Sequence, residues 1–122
     1  MGPSYIYKAT LIRVVDGDTV HMQVDLGYHI GVEIDFRLTG INAPEMKGAT
    51  ITAGKAAKAF LEGLLANRTD LVVVSVKTEK FGRWLGTIWF ATEPTRPSAN
   101  AQMVASGHAV VFMADPVPAV TP

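Results

Sequence analysis

Hydrophobic residues recur at every second position through much of residues 5–39, the spacing expected of strands with one buried face. Val20, Met22, Val24 and Leu26 alternate with His21, Gln23 and Asp25, and Gly27 ends the run. The same alternation returns from Gly31 to Thr39, with Val32, Ile34, Phe36 and Leu38 on one face and Glu33, Asp35, Arg37 and Thr39 on the other. Arg37 is therefore expected to point outward from a central strand. Ahead of these, residues 5–15 are rich in β-branched and aromatic types and run into Asp16-Gly17-Asp18, a hairpin signal.

The period then changes. Gly40 to Thr52 reads as a loop around Pro44, and Ala57, Phe60, Leu61 and Leu64 fall at helical spacing, predicting a helix of about three turns. Asn67 to Asp70 stops it, and Leu71 to Val76 is short and apolar enough for a buried strand. A turn at Glu79 to Gly82 leads to a last long strand, Trp84 to Ala91, on which the odd spacing of Trp84 and Trp89 sends one ring into the core. After the proline-bounded loop Glu93 to Pro97, Ser98 is placed to cap a short helix, Ala99 to Ser106, ended by Gly107. Residues 114–122 hold three prolines and are expected to be an extended or disordered tail. Three strands, a helix, two strands and a second helix predict an α+β fold: a five-stranded Greek-key barrel of the oligonucleotide-binding type with one end plugged by a helix. The expectation is one domain over residues 1–122, with its core at about 5–113.

Composition narrows the function without naming it. With 48% hydrophobic and 18% charged residues among 122, the chain has the make-up of a packed globular protein. It has no cysteine, which removes disulfides and thiolate zinc sites and fits a reducing compartment. Met1 to Thr10 shows no secretory pattern, and no apolar run approaches the roughly 20 residues of a membrane span, so a cytoplasmic location is expected. Eleven basic residues balance eleven acidic ones. This balance counts against a grip on nucleic acid by bulk charge and is compatible with nucleic-acid binding if the positive charge is concentrated at one cleft.

Three short pieces carry candidate chemistry: Asp16-Gly17-Asp18-Thr19, the run Phe36 to Glu45, and Glu79-Lys80-Phe81-Gly82-Arg83. In this order they resemble the staphylococcal nuclease family, whose pattern is a DGDT turn, a strand bearing FRL that leads to a Pro-Glu loop, and a later K-Y/F-G-R turn. The resemblance continues into Ala101 to Val111 and covers Tyr5 to Phe112. It implies a calcium (Ca2+) dependent nuclease giving 3′-phosphate and 5′-hydroxyl products. Asp18, Asn42 and the main-chain carbonyl of Ala43 are then implied as metal ligands, Glu45 as the group that activates or positions the attacking water, and Arg37 and Arg83 as the phosphate grip. Lys80 and Phe81 are implied as substrate contacts. Physical chemistry supports these types: planar guanidiniums donate paired hydrogen bonds to phosphate oxygens, calcium prefers oxygen ligands, and a carboxylate can accept a proton from water. The expected substrate is nucleic acid, single-stranded DNA first and RNA second, because a cleft on a small barrel admits one strand more readily than a duplex.

The chain departs from that pattern in several places. Asn42 stands where the best-known members have aspartate, which removes a negative charge and predicts weaker calcium binding. Phe81 keeps the ring of the family tyrosine without its hydroxyl, the tyrosines after the last strand have no counterparts at Met113 and Asp115, and the family's long C-terminal helix is not expected over residues 114–122. The alternative is a nuclease-like module that cuts poorly or not at all and binds nucleic acid or a protein partner. Each residue also has a plain structural alternative: Asp18 and Asn42 as turn residues, Glu45 at a helix start, Arg83 as a turn charge, and Arg37 paired on the surface with Glu33 or Asp35. His21 and His29 are expected to be solvated, and His108 is given no role.

Overall fold

A computed structural model describes residues 5–77 and 84–112. Three antiparallel strands come first, β1 (Tyr5–Asp16), β2 (Thr19–Asp25) and β3 (Gly31–Leu38). β1 serves two neighbours. Register irregularities between Leu11 and Arg13 and between Val14 and Asp16 bend it, the usual effect of an extra residue in one strand. Its second half pairs with β2 and its first half, Tyr5 to Lys8, with β5 (Leu71–Lys77). β6 (Trp84–Phe90) lies antiparallel to β5 and parallel to β3 from Phe36↔Trp84 to Leu38↔Gly86, which closes the barrel in the order β1-β2-β3-β6-β5. The five-stranded barrel expected from the alternation is therefore the fold found.

Inside the barrel, Val20, Met22, Val24, Phe36, Leu38, Val73, Ile88 and Phe90 are buried. Each large side chain among them contributes about 1.5–3 kcal/mol by leaving water. The inward pattern fades at one mouth, where Leu26 and Val32 remain 40% and 38% exposed. Neither tryptophan is fully buried: Trp84 stands at that mouth, edge-on to Tyr5 with ring centroids 5.7 Å apart, and Trp89 is half-buried on the outer face. The ring expected to turn to the core is Trp84, which packs against it while only partly buried.

The opposite end is covered by α1 (Ile51–Leu65), entered through a 3-10 turn at Gly48–Thr50. At 15 residues α1 has about four turns, one more than expected. Its buried stripe is Gly54, Ala57, Leu61 and Leu65, with Phe60 and Leu64 only partly buried. The stripe opens on a glycine that carries no hydrophobic signal, so the pattern concealed both the start of the helix and its true face. α2 (Ala99–Ala105) begins where Ser98 Oγ accepts the Ala101 N–H at 3.1 Å, as its capping position predicts, and ends at Gly107 with φ +82°.

Within the stretch expected to be loop, the two-residue strand β4 (Ile41–Asn42) pairs with β7 (Val110–Val111) outside the barrel. A single buried amide ties this region together. Asn100 Nδ2 donates to the carbonyls of Thr39 (2.9 Å) and Gly86 (3.0 Å), and its Oδ1 accepts the Ile88 N–H at 3.1 Å. Among the described residues no helix is long and apolar enough to cross a membrane.

Candidate active site

The β1–β2 turn is held from within and from outside. Asp16 Oδ1 accepts the Asp18 N–H at 3.0 Å, an Asx turn, and the Asp18 carbonyl accepts the Leu38 N–H at 2.7 Å. Thr19 lies opposite Arg37 across the β2–β3 ladder, so the turn and the end of β3 are neighbours. The loop after β4 closes on the same point, where the Ala43 N–H donates to Asp18 Oδ2 at 2.9 Å. Gly17 makes that approach possible. A Cβ there would lie 2.6 Å from Ala43 Cβ and 2.7 Å from Ala57 Cβ, so turn, loop and helix meet at a position with no room for a methyl group.

Arg37 is half-buried, not projecting freely from a strand face. Its Nη2 donates to the Ile41 carbonyl at 2.9 Å and to Asn42 Oδ1, and its guanidinium carbon sits 4.9 Å from the centroid of the Phe112 ring. Among the described residues Glu33 and Asp35 flank His21. His21 Nε2 is 2.8 Å from Glu33 and Nδ1 is 2.5 Å from Asp35. These two hydrogen bonds raise the His21 pKa, so the residue expected to be solvated bridges two acids instead.

The structure thus brings together Asp18, Arg37, Asn42 and Ala43. Glu45 lies on the same loop; its side chain is exposed and has no hydrogen bond or ion pair among the described residues. Its backbone is firmly held, since its carbonyl accepts the Thr50 hydroxyl at 2.7 Å and a Cβ on Gly54 would come within 2.5 Å of that oxygen. Lys80, Phe81 and Arg83 lie outside the described residues. Two neighbours escaped the sequence reading. Asp16 places a second carboxylate beside Asp18, which the two-residue spacing in Asp-Gly-Asp could have signalled. Phe112 underlies Arg37 only because β7 pairs with β4, and no local pattern reports that pairing.

Partial burial, reinforced by a hydrogen bond and like charge from Asp16, pushes the Asp18 carboxyl from 3.8 up to about 6. The Ala43 N–H and the Arg37 charge act in the opposite direction. Asp16, Asp18, the Asn42 amide and the Ala43 carbonyl offer oxygen donors only, a set that fits a hard cation such as Ca2+ and does not suit zinc or copper. The described residues contain no group of three or more His, Cys, Asp or Glu side chains arranged to hold a metal, so amide, carbonyl and solvent oxygens would have to complete the shell.

Comparison with known proteins places the chain in one family. The model of the staphylococcal nuclease homologues matches residues 35–120, a span that includes Arg37, Asn42, Ala43, Glu45 and Arg83 and begins after Asp16 and Asp18. The chain is 34% identical over 110 residues to the protein named ParB from Escherichia coli, covering 86% of this chain and 57% of that protein. It is 28% identical over 131 residues to an uncharacterized protein from Methanocaldococcus jannaschii, covering 89% of this chain and 61% of that protein. The chain therefore spans less than two-thirds of the length of either relative.

Proposed function

Because the chain belongs to the staphylococcal nuclease homologues, we propose that it hydrolyses phosphodiester bonds of nucleic acid with Ca2+ as cofactor, leaving 3′-phosphate and 5′-hydroxyl ends. The observation that carries this reading is the meeting of a carboxylate turn, a guanidinium and an oxygen-bearing loop, tied by the Asp18 to Ala43 hydrogen bond at 2.9 Å. In this reading Asp18, Asn42 and the Ala43 carbonyl hold the ion, and Asp16 adds charge beside them. The bound ion supplies positive charge against the phosphate.

The protein's own groups account for the remaining chemistry. Arg37, oriented by Ile41, Asn42 and Phe112, sets a planar cation against the equatorial phosphate oxygens, where negative charge builds in the transition state. Arg83 is the second guanidinium, and Lys80 and Phe81 contact the strand. Glu45, exposed and unpaired among the described residues, orders the attacking water and accepts its proton. The water oxygen bonds to phosphorus as Glu45 takes its proton, the P–O5′ bond breaks, and the departing 5′-oxygen takes a proton from solvent water. Single-stranded DNA is the preferred substrate and RNA the second.

A gel assay of single-stranded DNA tests this directly. Cleavage is expected with calcium, none with chelator, and a loss of about a hundredfold or more in Glu45→Gln. No cleavage in calcium, or full activity in the variant, refutes the enzyme reading. One observation favours a second reading, a module that binds nucleic acid or a protein partner without efficient cutting: Asn42 Oδ1, an oxygen the ion would require, already accepts a hydrogen bond from Arg37. Binding of the same DNA without cleavage selects that alternative.

A further inference from the structure

The Asn42-Ala43 dipeptide has two sides. One engages the candidate phosphate site, through Arg37 to the Asn42 amide and through the Ala43 N–H to Asp18. The other forms a wall of a separate cavity of about 330 Å³, completed by Pro44, Thr50, His108 and Val110. A volume of that size lies at the small end of ligand sites and suits one nucleoside. The lining is mostly apolar and contains no Lys, Arg, Asp or Glu, so it suits a neutral flat group and not a phosphate.

His108 gives the cavity its polar character. Its ring is set against Phe60, with centroids 4.7 Å apart and the planes at 34°, and its main-chain N–H donates to the Met103 carbonyl at 3.0 Å. The imidazole is thus fixed in orientation, while neither ring nitrogen has a hydrogen-bond partner among the described residues. The Thr50 hydroxyl, by contrast, is already donated to the carbonyls of Glu45 and Lys47. A half-buried imidazole with both nitrogens unengaged can donate one hydrogen bond and accept another, which matches the edge of a nucleobase.

We propose that this cavity receives the base of one nucleotide flanking the scissile phosphate, with His108 as the residue that reads its edge. The assignment rests on the phosphodiesterase reading, because the shared dipeptide is what puts a base within one nucleotide of the phosphate. His108 then determines base preference, while Arg37 holds the phosphate.

The test uses the full chain with chelator present, so that nothing is cut, and a dinucleotide containing a single phosphodiester, TpT, so that register is unambiguous. Dissociation constants are measured by NMR titration for TpT and for its two analogues lacking one base. Wild type is expected to bind one abasic analogue about tenfold more weakly than TpT, with the His108 imidazole signals moving on binding TpT. In His108→Phe, which keeps a ring against Phe60 but has no nitrogens, the difference between TpT and that analogue should disappear. If TpT binds, Arg37→Lys weakens it, and wild type treats both analogues like TpT, the base site is refuted and the phosphate site stands. The same holds if His108→Phe retains the difference. If TpT does not bind wild type at all, the base site is refuted, and the gel assay of cleavage with calcium decides the phosphodiesterase reading separately.

Discussion

Replacing Gly17 by alanine tests the packing on which the whole site depends. The added methyl would lie 2.6 Å from Ala43 Cβ and 2.7 Å from Ala57 Cβ, both well inside the 3.4 Å at which ordinary contact begins. Neither neighbour is the tip of a flexible chain, so relief requires the loop, the helix or the turn itself to move. Overpacking of this kind costs about 1–3 kcal/mol. The backbone entropy lost by the unfolded chain on a Gly→Ala change returns about 0.4–1 kcal/mol. A net loss of about 1–2 kcal/mol follows, which for a chain of this size lowers Tm by about 4–10 °C. Calorimetric melts of wild type, Gly17→Ala, Ala57→Gly and the double variant should show coupling: Ala57→Gly alone destabilises, yet in the Gly17→Ala background it removes one of the two clashes. A Gly17→Ala protein that melts at or above wild type, or a strictly additive double variant, would falsify the three-way contact.

Other changes probe the site one contact at a time. Gly54→Ala places a methyl 2.5 Å from the Glu45 carbonyl oxygen and 2.9 Å from Met46 Cα, so the loop must shift and carry Glu45 with it. A fall in kcat of about a hundredfold with the fold intact by circular dichroism is expected, and unchanged kcat would show that the position of Glu45 is immaterial. Asn42→Asp restores a negative charge and should tighten calcium in a calorimetric titration beside wild type; equal affinities count against Asn42 as a ligand. His21 has a raised pKa, so its pairing with Glu33 and Asp35 contributes stability that is complete below the ordinary histidine value of 6.5 and fades as pH climbs through the folded-state value. Urea midpoints of wild type should therefore exceed those of His21→Gln at about pH 5.5 and converge with them near pH 9; a gap that persists at the upper pH contradicts the bridge.

The barrel was legible because its strands report their inner faces locally. Val20, Met22, Val24, Phe36 and Leu38 alternate in the chain and are buried in the fold. What the pattern missed depends on pairings distant in sequence. β4 and β7 are two residues each, too short for any period to show, and their ladder joins positions nearly seventy residues apart. The full length and burial stripe of α1 were hidden because its stripe opens on Gly54, chosen for close approach to backbone and not for hydrophobicity. His21 looked solvated because its acidic partners lie on the next strand. At the site, the side chains that stand out by type, Asp18 and Arg37, were identifiable from local motifs. Those that position them, such as Phe112 and the Ile41 carbonyl, become visible only once the chain has folded back.

That folding back has a consequence for how the protein is made. A ribosome delivers Asp18, Arg37 and Asn42 early, but the partner of β4 and the ring beneath Arg37 come from residues 110–112. Until residues 110–112 emerge, the loop has no strand to lie against and the guanidinium has no platform. The candidate site is therefore completed only when chain made late meets chain made early.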